Sequence, residues 1–351
     1  MIELDGALGE GGGQVLRTAL GLSLVTGVPV AIERVRANRS PPGLRKQHLA
    51  ALRAAAAVGA AQVEGAEVGA RTVRFAPSAV IAGHHRFAVG SAGSATLVLQ
   101  TVLPALLRAD RPSRLVLEGG THNPLAPPFD FLERVYLPLV RRLGPRVEAR
   151  LVRPGFFPRG GGVLEVDVEP APLDARGFAL TDAGRVVRRR AVARVADLPR
   201  EIAERELAVV RRRLRWPEGS LEVAEHPRCG PGNALALEVE LAGGAVEVVS
   251  AVGERGRRAE DVARAAVDEL EAFLALDVPV GEHLADQLLL LLALAGGGRF
   301  RTGPLSLHAE TQRAVIARFL PVELQVAPLR PDAPGGPVEV RVAPAPPAGP
   351  A

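Results

Sequence analysis

The sequence predicts an α/β (α+β) fold of three repeated strand-and-two-helix units with one inserted small α+β domain. Two observations carry that expectation. Glycine-opened turns at Gly9, Gly90 and Gly281 each run into an apolar helix start, and a second helical stretch follows each of them. Residues 183–276 separate the third copy from the second and have a different, strand-rich and charged character.

The first turn, Gly9-Glu10-Gly11-Gly12-Gly13-Gln14, opens a helix at Val15, with a strand over 30–35 and a second helix over 42–58. The second, Gly90-Ser91-Ala92-Gly93-Ser94-Ala95, opens a helix at Thr96, followed by a strand over 114–118, a helix over 128–143 and strands over 147–152 and 163–168. The third, Gly281 to Gln287, enters the apolar run 288–295, with a second helix over 309–319. Units of this kind bury their helices against a shared centre. Inside the intervening segment the pattern gives strands over 185–195, 221–225, 234–241 and 245–251, and helices over 198–214 and 259–274. The expected organisation is a large domain from 1–182 and 277–343, an insert at 183–276, and a disordered Pro/Ala tail at 344–351.

The chain has 351 residues, 47% of them hydrophobic, enough for a full core and for two or three domains. It opens on Glu3 and Asp5 rather than on a basic, secretory-type stretch, and its longest apolar run is too short for a bilayer. The expectation is a soluble cytoplasmic protein with no membrane partner. Cys229 is the only cysteine, which excludes an intrachain disulfide and a cysteine-rich zinc site. Of 43 basic residues only Lys46 is lysine, and its neighbours Arg45 and Gln47 exclude a phosphate-binding Gly-Lys-Ser/Thr loop. A net charge of +4 permits an anionic partner without requiring one.

Candidate chemistry is sparse. No histidine pair has the spacing of a helical zinc site, and His84-His85 reads as a solvated turn. His308 lies where a strand hands over to a helix, near free backbone N–H groups and the positive end of the helix dipole. There it can serve as a nucleophile; on residue chemistry alone a capping or packing role is the default. The glycines at 9–13 allow close backbone approach to a phosphate. Glu10 within them fits either a cation bridged to that phosphate or a solvent-facing acid. Arg34, Arg36, Arg39, Arg45 and Lys46 fit either a polyanion or a solvated basic surface. The eleven arginines of 185–215 are interleaved with acids and read by default as a salt-bridged helix face.

Taken in order, several stretches resemble the RNA 3'-terminal phosphate cyclase family. They include Gly9-Glu10-Gly11-Gly12-Gly13-Gln14, Pro42-Gly43-Leu44 with Gln47-His48-Leu49, and Gly90-Ser91-Ala92-Gly93-Ser94 through Pro104. Asn123-Pro124, Gly160-Gly161-Gly162, Leu284-Ala285-Asp286-Gln287, and His308 with Arg318-Phe319-Leu320-Pro321 follow. The resemblance implies three repeats similar to the translation initiation factor 3 C-terminal domain plus one insert. It implies that ATP, with Mg²⁺ or Mn²⁺, adenylates a histidine. AMP then passes to an RNA 3'-phosphate, and the 2'-OH displaces it to give a 2',3'-cyclic phosphate. By the same resemblance His308 is the nucleophile and Glu10 a metal ligand. Gln100, His283, Leu284, Ala285, Asp286 and Gln287 form the ATP site, and Arg17, Arg36, Arg39, Gln47 and His48 serve phosphates or RNA. The partner implied is RNA with a 3'-phosphate end; a homodimer is left open.

Two positions depart from the family pattern. His283 stands where a tyrosine is usual, and Ala309-Glu310-Thr311-Gln312 replaces an apolar stretch with Thr-Asn, adding a negative charge at Glu310. Two other functions stay in view: a non-catalytic cyclase-like protein of ribosome assembly, which would lack His308, and an enolpyruvyl-transfer enzyme, which would not need it.

Overall fold

The computed structural model describes residues 1–330, 332 and 335–345. Its first sheet is built from β1 (Ile2–Asp5), β2 (Val30–Glu33), β3 (Gln62–Glu64) and β4 (Val73–Ala76), in the order β1-β2-β4-β3. Helices α1 (Gly13–Thr26) and α2 (Lys46–Gly59) lie between its strands in the chain. The second sheet contains β5 (His84–Ala88), β6 (Ser113–Gly119), β7 (Arg146–Arg153) and β8 (Gly162–Glu169), ordered β5-β6-β8-β7. Its helices are α3 (Ala95–Leu106) and a continuous segment of α4 (Phe129–Phe131), a π turn (Leu132–Tyr136) and α5 (Leu137–Arg142).

Strand β9 (Ala179–Leu180) leads into a separate sheet of β10 (Val186–Ala196), β11 (Leu221–His226), β12 (Gly232–Leu241) and β13 (Val246–Val252), ordered β11-β10-β12-β13. Helices α6 (Arg200–Leu214) and α7 (Ala259–Ala275) pack together on it. The chain then returns through α8 (Glu282–Leu294), β14 (Gly298–Thr302), α9 (Leu307–Phe319), β15 (Val322–Pro328) and β16 (Val338–Pro344). Here β14 pairs parallel with β9, closing a sheet ordered β15-β16-β14-β9. The fold is thus mixed α/β with four four-stranded sheets. In the sheets of β1, β5 and β9, the first strand pairs parallel with the second and the other two ladders are antiparallel. A parallel pair needs a crossover connection, which α1 and α3 supply for the first two.

Helix α1 is buried on nearly every side because α2, α3 and α9 surround it. Gly21 permits this crowding: a Cβ there would lie 3.1 Å from the Thr101 carbonyl oxygen of α3.

Several expectations are corrected. Helix α2 starts at Lys46, not at 42, because Gly43 is left-handed and Arg36 Nη1 pins the loop by donating to the Pro41 and Gly43 carbonyls, each at 2.9 Å. The first strand of that region stops at Glu33 because Arg34 turns to positive φ. His84 and His85 lie in edge strand β5 rather than in a turn. His85 Nε2 sits 2.8 Å from the Ile81 carbonyl oxygen and its ring stacks on Phe87. Pro344, assigned to the tail, ends β16 in register with Val322; residues 346–351 lie outside the described residues. The arginine-rich helix face is salt-bridged, with Arg200 to Glu204 and Glu225, Arg205 to Glu260, and Arg213 to Asp268 and Glu271.

Buried polar contacts fasten the β10–β13 sheet to its neighbours. Arg194 pairs with Asp130, whose Oδ2 also lies 3.0 Å from His122 Nε2. Burial pushes the Asp130 carboxyl up, but the His122 hydrogen bond and the Arg194 charge outweigh it and hold the group below the usual range. Arg134 forms a fork to Glu238 at 2.7 and 3.1 Å. On the other side Glu247 of β13 accepts from the Gly281 backbone N–H, at the start of α8, at 3.0 Å. Burial pushes the Glu247 carboxyl up to about 8, against the opposing hydrogen bond from Gly281.

A raised folded-state pKa means that stability is greatest below the ordinary value of 4.5 and falls as pH rises toward 8. Glu247→Gln keeps a carbonyl acceptor for Gly281 and removes the ionisable group. Urea denaturation should find the variant more stable than the parent above about pH 8 and equal to it below about pH 4.5.

Candidate active site

Two helix starts meet at the base of a cleft. The left-handed glycines Gly9 and Gly11 fold the loop before α1 so that the Glu10 backbone N–H donates to Thr311 Oγ1 of α9 at 3.1 Å. One turn into α1, Gln14 Nε2 donates to Gln312 Oε1 at 3.3 Å and approaches Asp286 Oδ2 of α8 at 3.5 Å. Thr18 Oγ1 donates to the same Gln312 oxygen.

This seam fixes His308. Ser306 caps α9 by accepting from the Ala309 N–H at 3.2 Å, which places His308 in the first helical turn. His308 Nδ1 lies 2.8 Å from Gln14 Oε1 and 3.0 Å from Glu10 Oε2. A carboxylate only accepts, so Nδ1 carries the proton and Nε2 is left with its lone pair. The other Glu10 oxygen is held by Arg39. The imidazole remains half-exposed, with 49% of its side-chain surface open.

The charges around it are tuned by burial. Arg17 is half-buried, lines the cleft, and makes no ion pair among the described residues; burial lowers its pKa to about 10, with Asp286 opposing. It remains a cation at neutral pH, aimed at no carboxylate. A Cβ on Gly13 would fall 2.3 Å from His48 Nε2 and 2.8 Å from Arg17 Nη1, so only glycine lets these two groups meet there. His48 Nδ1 accepts from the Arg45 N–H at 3.3 Å, so Nε2 carries its hydrogen. Burial, reinforced by Arg17, Arg36 and Arg45, pushes the His48 pKa down to about 3. His48 is therefore a neutral donor. Asp286 is pushed up to about 6, mainly by burial, and its Oδ1 has no partner among the described residues.

From this floor a cavity of about 460 Å³ opens. One face of α8 contributes His283, Asp286 and Gln287, spaced as a helix face requires. Leu284 and Ala285 are not brought there; they are 1% and 2% exposed and belong to the core. Gln100 of α3 lines the cavity and donates to Gln287 Oε1. Gln47 stands outside it and accepts from the Ser94 N–H at 2.9 Å, holding the Gly90–Ser94 loop. Arg36 is spent on the loop carbonyls. Glu310 points out and pairs with Arg313 at 3.3 Å, so its charge does not enter the cleft.

The cavity also uses residues that sequence reasoning missed. Glu254 and Arg257 follow β13, Glu269 lies on α7, and Thr18 and Gln312 come from the seam. Asn123 and Pro124 had been seen only as part of a motif. Helical spacing was a usable signal for two of these, since Thr18 lies four residues after Gln14 and Gln312 four after His308. Among the described residues no group of three His, Cys, Asp or Glu side chains could hold a metal ion. Glu10 offers one carboxylate, which suits a cation carried largely by phosphates rather than by a protein cage.

These tautomers are measurable. Long-range ¹H–¹⁵N spectra should show His308 protonated at Nδ1 and His48 at Nε2, and His48 should remain neutral down to about pH 4. A His48 resonance titrating near pH 6.5 would contradict the geometry.

Comparison with known proteins agrees over most of the chain. The family model for RNA 3'-terminal phosphate cyclase matches residues 8–326. The chain is 51% identical to an RNA 3'-terminal phosphate cyclase of Ectopseudomonas mendocina over 92% of its own length and 94% of the relative's. It is 48% identical to one of Koribacter versatilis, over 93% and 92%, and 49% identical to one of Pseudomonas fluorescens, over 94% and 95%. The enolpyruvyl transferase NikO of Streptomyces tendae aligns at a TM-score of 0.37 and 12% identity, over 97% of this chain and 47% of that one, too weak a likeness to support an argument. No helix among the described residues is long and apolar enough to cross a membrane. The chain belongs to the RNA 3'-terminal phosphate cyclase family.

Proposed function

We propose that the protein converts an RNA 3'-terminal phosphate to a 2',3'-cyclic phosphate at the expense of ATP, through a covalent adenylate on His308. The observation that carries this reading is the double clamp on His308 Nδ1 by Glu10 and Gln14, which leaves Nε2 as an oriented lone pair facing a nucleotide-sized cavity. Nε2 attacks the α-phosphorus of ATP and pyrophosphate leaves. The imidazole gains positive charge as the N–P bond forms, and the Glu10 carboxylate at Nδ1–H offsets it. Arg17 and the His48 N–H face the phosphate oxygens. A terminal RNA phosphate oxygen then displaces His308 from phosphorus, and the 2'-OH displaces AMP.

Asp286 Oδ1, buried without a donor, and Gln100 suit the hydroxyl and polar edges of a nucleoside. Leu97, Pro127 and Phe131 supply apolar wall. A divalent cation held by Glu10 and the ATP phosphates would neutralise phosphate charge. In domain terms, residues 1–182 and 277–343 are read as the three-repeat catalytic domain and 183–276 as the insert. The recurrence of one strand order, first-second-fourth-third, in the sheets of β1, β5 and β9, against second-first-third-fourth in the sheet of β10, supports this division. The presence of His308 argues against a non-catalytic relative.

Incubation with α-³²P-ATP and Mg²⁺ or Mn²⁺ should label the protein with an acid-labile, alkali-stable adduct, and His308→Ala should abolish it. Undiminished labelling of the variant overturns the assignment. His283 is placed at the adenine, on the rim of the cavity. His283→Tyr should then keep or raise ATP affinity, while His283→Ala should lose about 1–3 kcal/mol of stacking. Equal affinity of all three proteins by titration would remove His283 from the base.

A further inference from the structure

Outside the cavity, one surface combines an exposed ring with unpaired cations. Loop 153–162 carries two adjacent phenylalanines with opposite fates. Phe156 is 2% exposed and stacks on His122 at 5.3 Å between centroids. Phe157 is 59% exposed, and is the one aromatic among the large exposed hydrophobic residues described. The same loop carries Arg153 and Arg159, and Arg159 lies against Gly230, two residues from Arg228; all three are exposed, and none forms an ion pair among the described residues. Arg153 Nε donates to the Gly161 carbonyl at 2.6 Å. Arg159 lies across Gly230, where a Cβ would fall 2.8 Å from its Cδ. The nearby Asp197 is committed to the backbone N–H groups of Arg228 and Gly230, both at 2.7 Å.

The loop that carries this surface packs on the Gly90–Ser94 loop beside the active site. Gly160 packs on Ala92, with its Cβ position 2.8 Å from the Ala92 Cα. Asn123, a cavity residue, donates to the Ala92 carbonyl. Ser94 of the same loop donates to Gln47, the neighbour of His48. A Cβ at Gly90 or Gly161 would meet nothing within 4 Å, so neither loop is covered there by other protein atoms.

We infer that this patch is the track for the single-stranded body of the RNA upstream of its 3'-phosphate. Phe157 stacks one base, and Arg153, Arg159 and Arg228 meet backbone phosphates. A ring with free guanidinium groups around it is what sequence-tolerant single-strand binding uses. The inference rests on the cyclase reading for its direction toward His308.

The test is fluorescence anisotropy with a labelled 3'-phosphate RNA decamer, beside cyclisation of a 3'-phosphate dinucleotide. Phe157→Ala should weaken decamer binding about 5- to 100-fold, and Phe157→Leu should lose nearly as much because it keeps bulk but no ring. Arg159→Ala and Arg228→Ala should each lower the salt dependence of log K by about one. The dinucleotide KM and ATP labelling of His308 should be unchanged throughout. Unaltered decamer affinity and salt dependence would overturn the track and leave the patch to a protein partner. An equal loss on the dinucleotide would also overturn it, because it would mark a distorted site. Failure of the cyclase reading would show separately, as unlabelled parent protein, while decamer binding is still measured.

Discussion

The site depends on the seam between the first turns of α1 and α9, which joins residues nearly the whole chain apart. Glu10 and Gln14 come from one end of the sequence, and His308, Thr311 and Gln312 from the other. Neither helix start holds a directed histidine alone. The glycines before α1 have no side chains to keep the helices apart: at Gly9 a Cβ would fall 2.0 Å from Thr311 Oγ1. Gln312, which stands where the usual family pattern has asparagine, is a member of the seam. The substitution therefore changes the partners of the joint without placing a charge in it.

Burial then sets which groups around the seam are charged. His48 is neutral because three arginines and desolvation act in the same direction. Arg17 keeps its charge despite burial because guanidinium starts so far above neutral pH. Asp286 is poised at about 6, so a ligand donor at its free oxygen would favour the ionised form. The cleft is polarised in advance, with a cation and a neutral donor at the α1–α2 end and a carboxylate at the α8 end.

Much of this was legible in the sequence, and the failures share one cause. The first two glycine turns, the strands and helices of 183–276 and the place of His308 at a helix start follow from local pattern, whereas the expected third turn after Gly281 is already helix from Glu282. Whether a side chain faces the site depends on helix phase and on partners far away. Leu284 and Ala285 sat inside a matching motif, yet a helix can turn only His283, Asp286 and Gln287 of that run to one side. Arg36 Nη1 also ties two loop carbonyls, a structural task its charge and neighbourhood do not announce. Arg257 and Glu269 left no local trace, since the fold brings them to the cavity from a segment with its own sheet. His84 and His85 were misplaced because Gly83 looked like the centre of a turn and instead immediately precedes a strand.

The chemistry also explains why sequence could not divide the basic residues between ATP and RNA. Displacement at phosphorus runs in line. In the proposed reaction pyrophosphate would depart from the face opposite the attacking His308 Nε2. RNA attacking the resulting adenylate would then bring its phosphate to that same face, where pyrophosphate had been. The groups that hold one anion are therefore placed to hold the other. Arg39, paired with Glu10 beside the imidazole, and Arg17, half-buried without a carboxylate, lie close enough to this axis to serve both steps. A single phosphate-binding set used twice needs no separate motif for RNA beside His308. Discrimination between the substrates must then come from what surrounds the shared phosphate: the nucleoside cavity on one side and the surface that carries the rest of the RNA on the other.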